Sequence, residues 1–131
     1  MKKIILFPVL MFFVSSCQDN EMLSKLIGET QKLSIYVYKN EGNKRTKNFI
    51  LETDKKEEIE KLAGYISDEN SPDYKCGYDG IIELKTTKGD VNMEFNLHNE
   101  CKHIVFTFEN KRYTKKLTQD GWEFLRDLYN K

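Results

Sequence analysis

The stretch that most constrains the fold runs from residue 74 to residue 108 and holds two of the three cysteines. Its centre alternates apolar and polar side chains, which is the period of a strand with one buried and one solvated face. A second strand, residues 80 to 86, reaches it through a Lys88-Gly89 turn, and a third follows from residue 103 to 109. The stretch therefore predicts an antiparallel meander. The apolar members of its central strand are Val91, Met93, Phe95 and Leu97.

Two further strands precede this meander. Residues 32 to 40 and 46 to 52 are rich in β-branched and aromatic side chains, and the first of them alternates clearly. Residues 40 to 43, with the sequence NEGN, have the composition of a turn. A short strand from residue 112 to 117 follows the meander. The sheet is therefore expected to contain about six strands.

Two helices complete the predicted fold. Asp54 followed by Glu57 matches a capping box, and the apolar spacing after it predicts a helix from residue 55 to 67. Residues 68 to 73 are expected to form an exit loop. Thr118 is the expected N-cap of a last helix. The apolar residues at helical spacing are Ile59, Leu62, Ala63 and Ile66 in the first helix, and Trp122, Leu125 and Leu128 in the second.

The order of elements is ββαββββα, which predicts an α+β domain whose antiparallel sheet carries both helices on one face. This order is similar to that of cystatin-like and TATA-binding-protein-like folds, a likeness that carries no function. The 131 residues suffice for one domain, here placed at residues 31 to 131. Residues 20 to 28 are compatible either with a short helix ending at Gly28 or with a flexible tether.

The N-terminus has the layout of a secretory signal. Lys2 and Lys3 precede an unbroken apolar run from residue 4 to 14, and small residues follow before Cys17. The run has 11 residues, which is shorter than the roughly 20 that a transmembrane helix needs. The segment therefore predicts export and not a membrane span.

The sequence Val14-Ser15-Ser16-Cys17 resembles the lipobox of bacterial lipoproteins. The resemblance implies removal of residues 1 to 16, attachment of lipid such as palmitate to Cys17, and a lipidated tether over residues 17 to 30. Acyl chains, at about 0.8 kcal/mol per buried methylene, would hold the protein at a membrane. The alternative is an ordinary cleaved signal that leaves Cys17 as an unpaired thiol.

The residue after the cysteine bears on the choice of membrane. Some Gram-negative inner-membrane lipoproteins carry aspartate there, whereas this chain has Gln18. The resemblance therefore favours the outer membrane of a bacterial envelope, with the domain facing either the periplasm or the cell surface.

With Cys17 assigned to lipid, Cys76 and Cys101 remain as a pair in an oxidising compartment. Both precede a strand at the same end of the meander, which predicts a disulfide between them. The competing interpretation is a zinc site that adds His98 and His103, because thiolate and imidazole suit zinc. The spacing of these four residues matches none of the common zinc patterns, so the sequence predicts no metal and no other cofactor.

The chain lacks the sequence patterns of common catalytic sites. It has no nucleophile-elbow serine, no Gly-rich phosphate loop and no histidine in a base-plus-nucleophile pattern. Its 21 basic residues balance 21 acidic ones, which is not the electrostatic footprint of a nucleic-acid-binding protein. The sequence therefore predicts a non-catalytic protein without a nucleic-acid partner.

A binding role is the predicted function. The helix-free sheet face should present aromatic side chains beside a tyrosine-containing loop. The layout resembles small envelope lipoproteins that inhibit cell-wall hydrolases or neutralise toxins, which implies an envelope protein, a toxin or a hydrolase as the partner. The alternatives are a structural envelope component without a specific ligand and, third, a hydrolase. The candidate binding residues are Tyr36, Tyr38, Tyr74, Tyr78, Asp79 and Asn96.

We expect Cys17 to be the acylated first residue of the mature protein. Mass spectrometry of membrane-extracted protein should show a chain that begins at Cys17 and carries the added mass of acyl groups. The Cys17→Ser variant should lose membrane association, since no acyl chain can then be attached. Recovery of the full-length chain, or an unchanged distribution of the variant between membrane and soluble fractions, would refute the assignment.

Overall fold

A computed structural model describes residues 15 to 72, 76 to 98 and 100 to 131, with the side chains described from residue 21 onward. These residues form an α+β fold with one antiparallel sheet of seven strands and three α-helices. The predicted fold class is therefore confirmed, whereas the predicted counts of six strands and two helices are each one too low. The elements are α1 Ser15–Glu29, β1 Thr30–Glu41, β2 Lys44–Thr53, α2 Lys56–Glu60, a 3-10 helix Lys61–Gly64, β3 Ile66–Asn70, β4 Gly80–Thr86, β5 Gly89–Phe95, β6 His103–Phe108, β7 Lys111–Leu117 and α3 Gln119–Tyr129.

The strand order is β2-β1-β4-β5-β6-β7-β3. Strands β4 to β7 form the predicted meander, and the β1–β2 hairpin adds to its β4 side. Strand β3 lies at the opposite edge from β2, although the two are joined by α2 and the 3-10 helix alone. The chain must therefore cross the sheet twice, once from β2 to β3 and once from β3 back to β4.

The expected helix over residues 55 to 67 is wrong in its second half. Helix α2 ends at Glu60, the 3-10 helix ends at Gly64, and Ile66 pairs with Leu117 in the sheet. The capping box is also absent, because Lys55 is the N-cap and no side chain caps it. Ile66 is buried as predicted, so burial alone did not distinguish helix from strand.

The second half of β3 lies in the predicted exit loop, and a buried lysine of β7 forms hydrogen bonds to it. Lys115 is 2% exposed, and its ammonium donates to the Asp68 carbonyl oxygen at 3.1 Å and to Asn70 Oδ1 at 2.8 Å. A buried charge is tolerated only when such polar partners surround it. Side-chain hydrogen bonds therefore supplement a strand of only five residues.

Helix α1 belongs to the folded unit. Leu23, Leu26 and Ile27 are buried in the same apolar cluster as the sheet, so the helix is the correct alternative for residues 20 to 28, and it ends at Glu29 rather than Gly28. Helix α3 begins as predicted, since Thr118 Oγ1 accepts the Gly121 N–H at 3.0 Å. No helix in the described part of the chain has both the length and the apolar character needed to cross a membrane.

The core consists of cross-strand rows on the helix-covered face. Residues at alternate positions of β1, β4 and β5 stand opposite one another and are buried. One row has a glycine in the middle, and the Phe95 ring occupies the space above Gly80. The rows are Leu33–Leu84–Val91, Ile35–Ile82–Met93 and Val37–Gly80–Phe95.

We expect Gly80→Ala to destabilise the protein by about 2 kcal/mol or more, within the usual cost of overpacking a core. A Cβ at Gly80 would collide with the Phe95 ring and the Tyr36 carbonyl oxygen. Gly64→Ala is the matched control, because a Cβ there meets nothing within 4 Å. Urea unfolding of both variants measures the difference, and equal free energies of unfolding would contradict the packing described for Phe95.

Candidate interaction surface on the open sheet face

The face of the sheet opposite the helices is divided in two by the segment that returns from β3 to β4. At one end of this segment, the Ser71 hydroxyl lies 3.2 Å from His103 Nδ1 on β6. At the other end, the Tyr78 ring lies 6.4 Å from the His103 ring. His103 is 1% exposed although it lies on this face, so Ser71 and Tyr78 cover the start of β6. Tyr36 and Tyr38 on β1 remain half-buried, and Phe49 on β2 is exposed.

A disulfide holds the return segment in place. Cys76 and Cys101 are joined with their Cα atoms 6.5 Å apart, which agrees with the predicted pair. This distance is shorter than the roughly 9.5 Å between two strands on either side of a third, and the Cys76 carbonyl oxygen accepts a hydrogen bond from Asn96, the residue after β5. Asn96 reinforces this cross-link, because its side-chain amide donates to the Gly77 carbonyl oxygen at 2.9 Å.

Asp79 completes the attachment of the segment. Its carboxylate accepts the Leu97 backbone N–H at 2.6 Å and lies 2.9 Å from His98 Nδ1. The Tyr38 N–H also donates to the Asp79 carbonyl oxygen at 2.8 Å, which ties the segment to β1. Asp79 is therefore a structural residue that fixes the border of the open surface.

The alternative zinc set is not assembled. The sulfurs of Cys76 and Cys101 bond to each other, and the two histidines have different neighbours, Asp79 for His98 and Ser71 for His103. Within the described ranges, no three His, Cys, Asp or Glu side chains are grouped so that they could hold a metal ion.

Tyr36 and Tyr38 lie on the open part of this face as predicted, and cations from β2 fix their rings. The Lys47 ammonium lies 4.4 Å from the Tyr36 ring centroid, and the Arg45 guanidinium lies 4.5 Å from that of Tyr38. Each such cation–π contact contributes about 0.5–1 kcal/mol at an exposed site. Arg45 also donates to the Tyr78 carbonyl oxygen, so the tyrosines form part of an ordered surface.

The pKa values of Tyr38 and Lys47 are both raised above their ordinary values. Burial raises the pKa of the Tyr38 hydroxyl, and the nearby Glu94 carboxylate, 3.5 Å away, raises it further. The Lys47 ammonium donates to Glu83 at 2.6 Å, and this hydrogen bond raises the pKa of Lys47. Tyr38 is a neutral donor and Lys47 is charged at neutral pH, as their ordinary pKa values already imply, and the shifts extend these states to higher pH.

Phe49 completes the surface because of a β-bulge. The register of β1 against β2 shifts between Ile35, opposite Leu51, and Tyr36, opposite Phe49, which leaves Ile50 as the extra residue. Ile50 and Leu51 both pack against the core, whereas Phe49 is turned to the open face. A bulge redirects side chains in this way. Phe49 is 57% exposed, and no other large apolar side chain in the described residues is classed as exposed.

The open surface therefore consists of Tyr36, Tyr38, Arg45, Lys47 and Phe49. The Tyr36 and Phe49 rings meet edge to face with centroids 5.8 Å apart. Arg45, Lys47 and Phe49 were not predicted. For Phe49 the reason is that the run Phe49-Ile50-Leu51 has no alternation from which a face could be assigned.

The other predicted site residues have different positions. Asn96 is 3% exposed and holds the return segment, so it does not contribute to an accessible surface. Tyr78 and Asp79 lie at the border of the open surface. Tyr74 and the side chain of Cys17 lie outside the described part of the chain.

No protein-family model matches this chain, and neither the curated proteins nor the solved structures contain a match to it.

We expect removal of the disulfide by paired Cys76→Ser and Cys101→Ser substitutions to lower the free energy of unfolding. The loop closed by the bond spans a sequence separation of 25, and the chain-entropy model then assigns about 3.5 kcal/mol to the cross-link. Denaturant unfolding of wild type and variant measures the loss. Free thiols at Cys76 and Cys101 in denatured, unreduced wild type would contradict the bond.

Proposed function

We propose that this protein is a non-catalytic binding module, anchored by lipid at the bacterial cell envelope, that contacts another protein through the open surface. The exposed Phe49, placed among Tyr36, Tyr38 and two cations, is the observation that carries the proposal. Aromatic and arginine side chains are enriched at protein interfaces. Complete burial of one such phenylalanine contributes about 1.5–3 kcal/mol.

The order of this surface supports a binding role. Side chains that are already fixed lose less conformational entropy when a partner binds. Tyr36 contacts both Lys47 and Phe49, and Tyr38 contacts Arg45. The partner would therefore meet a preformed patch with an aromatic centre and charged margins, which is the usual arrangement of interface hot spots.

The contact is proposed to use the face of β1 and β2 and not the free edge of β2. The first half of β2 carries Lys44, Arg45 and Lys47, and a bulge follows at Ile50. Edge lysines and bulges prevent a further strand from pairing. A partner is therefore expected to pack side chains on Phe49 without extending the sheet.

The lipid anchor remains part of the proposal and rests on the resemblance of residues 14 to 17 to a lipobox. Helix α1 begins at Ser15 and continues into the core through Leu26. An acyl group on Cys17 would therefore hold the domain close to the membrane. The partner would be another protein of the outer membrane or the periplasm, with a toxin or a cell-wall hydrolase as specific possibilities.

We expect a photo-crosslinking residue at position 49 of the full chain to capture a specific envelope protein in cells. Phe49→Ser should weaken binding of that partner by at least tenfold, while Phe49→Tyr should retain most of it because the ring remains. Glu123→Ala, on the exposed face of α3, is the control and should bind as wild type does. Since Phe49 is exposed and loses mainly its ring contact with Tyr36, Phe49→Ser should lower the free energy of unfolding by no more than about 1.5 kcal/mol.

Two results would overturn the proposal. If the captured partner binds Phe49→Ser as tightly as wild type, the surface is not the contact. If no position on the open surface yields a specific cross-link, a structural role without a specific ligand is correct.

A further inference from the structure

A cavity of about 210 Å³ lies on the helix-covered side of the sheet, opposite the open surface. Strands β1, β2 and β4 form its floor, and α2, the 3-10 helix and α3 cover it. Its inner walls are apolar. They consist of Leu33, Ile35, Leu51, Leu62, Tyr65, Ile82 and Phe124.

The size of this cavity is sufficient for a ligand. An apolar cavity of about 150 Å³ binds benzene and stays free of water. Scaled from the six carbons of benzene in that cavity, a volume of about 210 Å³ accommodates about eight carbons. A straight chain of about eight carbons, with its polar end outside, matches this volume.

The polar lining residues are confined to β2 and the helical segment that faces it. Besides the Tyr65 ring, the polar residues of the lining are Glu52, Thr53, Glu58 and Lys61. The Glu52 carboxylate is engaged by the Ser34 hydroxyl at 3.3 Å and by the Lys32 ammonium at 3.5 Å.

Lys61 is the group at this mouth that is available to a ligand. Glu58 already accepts a hydrogen bond from the Thr53 hydroxyl. Within the part of the chain that the structure describes, Lys61 has no ion pair and no side-chain hydrogen bond. A carboxylate that emerges from the cavity would supply the missing partner of the Lys61 ammonium.

We propose that this cavity binds a medium-chain carboxylate, with the alkyl chain among Leu33, Leu51 and Leu62 and the carboxylate paired with Lys61. The helical cover supports this assignment. Residues 56 to 64 bury only Ile59 and Leu62, and the bond from Thr53 to Glu58 crosses the mouth. Two buried apolar side chains therefore hold the cover in place, and the polar residues Thr53, Glu58 and Lys61 lie where the charged end of a ligand would emerge. The proposal is independent of the partner that binds the open surface.

Titration calorimetry with straight-chain carboxylates of four to fourteen carbons tests the chain length. The full chain is held in lipid nanodiscs, and the heat from empty nanodiscs is subtracted. Affinity should rise about fourfold per methylene, as expected for about 0.8 kcal/mol per buried group, and should level off near eight carbons. An affinity that keeps rising to fourteen carbons would show partition into lipid, and the absence of saturable heat would show no site. Either result overturns the proposal.

Two substitutions test the position of the ligand. Lys61→Gln should weaken octanoate binding about five- to tenfold and leave octan-1-ol binding unchanged. Lys56→Gln is the control, because Lys56 is on the same helical segment but outside the cavity lining. This variant should bind both ligands as wild type does. Leu51→Trp should abolish binding of both ligands by filling the cavity. If this variant does not fold, the exposed Lys61 variant still decides the carboxylate contact.

An equal effect of Lys61→Gln and Lys56→Gln would overturn the assignment of Lys61. A folded Leu51→Trp variant that binds octanoate normally would overturn the cavity as the site. If octanoate does not bind and a photo-crosslinker at Thr53 captures a protein, the cavity receives a partner side chain and the proposal is wrong.

Discussion

The cross-strand rows of apolar side chains in β1, β4 and β5 determine how the rest of the molecule is arranged. Because strand side chains alternate between faces, a shift of one residue would move every apolar side chain to the opposite face. The row Ile35–Ile82–Met93 is almost fully buried, so the register is strongly determined there. All three helices contribute to the same apolar cluster. The opposite face of the sheet is therefore not covered by a helix.

The position of β3 at one edge of the sheet has the next largest effect on how the molecule is arranged. Since β2 and β3 occupy opposite edges, the connection between them must pass over the helix-covered face, and the return to β4 must pass over the open one. The first crossing is short and poorly packed, which leaves a cavity beneath it. The second crossing is held by the Cys76–Cys101 bond and by Asp79. Both candidate sites are therefore consequences of one topological feature.

The two sites are separated by the sheet. The open surface around Phe49 has an aromatic centre and charged margins, which suits a protein partner. The cavity has apolar walls and a single available cation at its mouth, which suits a small amphipathic ligand. Strand β2 contributes to both, because its bulge turns Phe49 outward while Leu51 lines the cavity.

Local patterns in the sequence were sufficient for the meander, the Thr118 cap and the cysteine pair, because alternation, capping and turn residues act between near neighbours. They were not sufficient for β3, where Ile66 satisfied the helical spacing but found its partner in Leu117, a residue distant in the chain. They also could not place Phe49, since a bulge depends on the register of two strands and not on the residues of one. Asn96 has the position of an outward-facing strand residue in the sequence pattern. However, β5 ends at Phe95, and the Asn96 side-chain amide donates a hydrogen bond to the return segment.

The sequence alone determined which segments bury apolar side chains. Only the tertiary structure decided which strands became edges and which side chains remained free to bind, because those outcomes depend on contacts between distant parts of the chain.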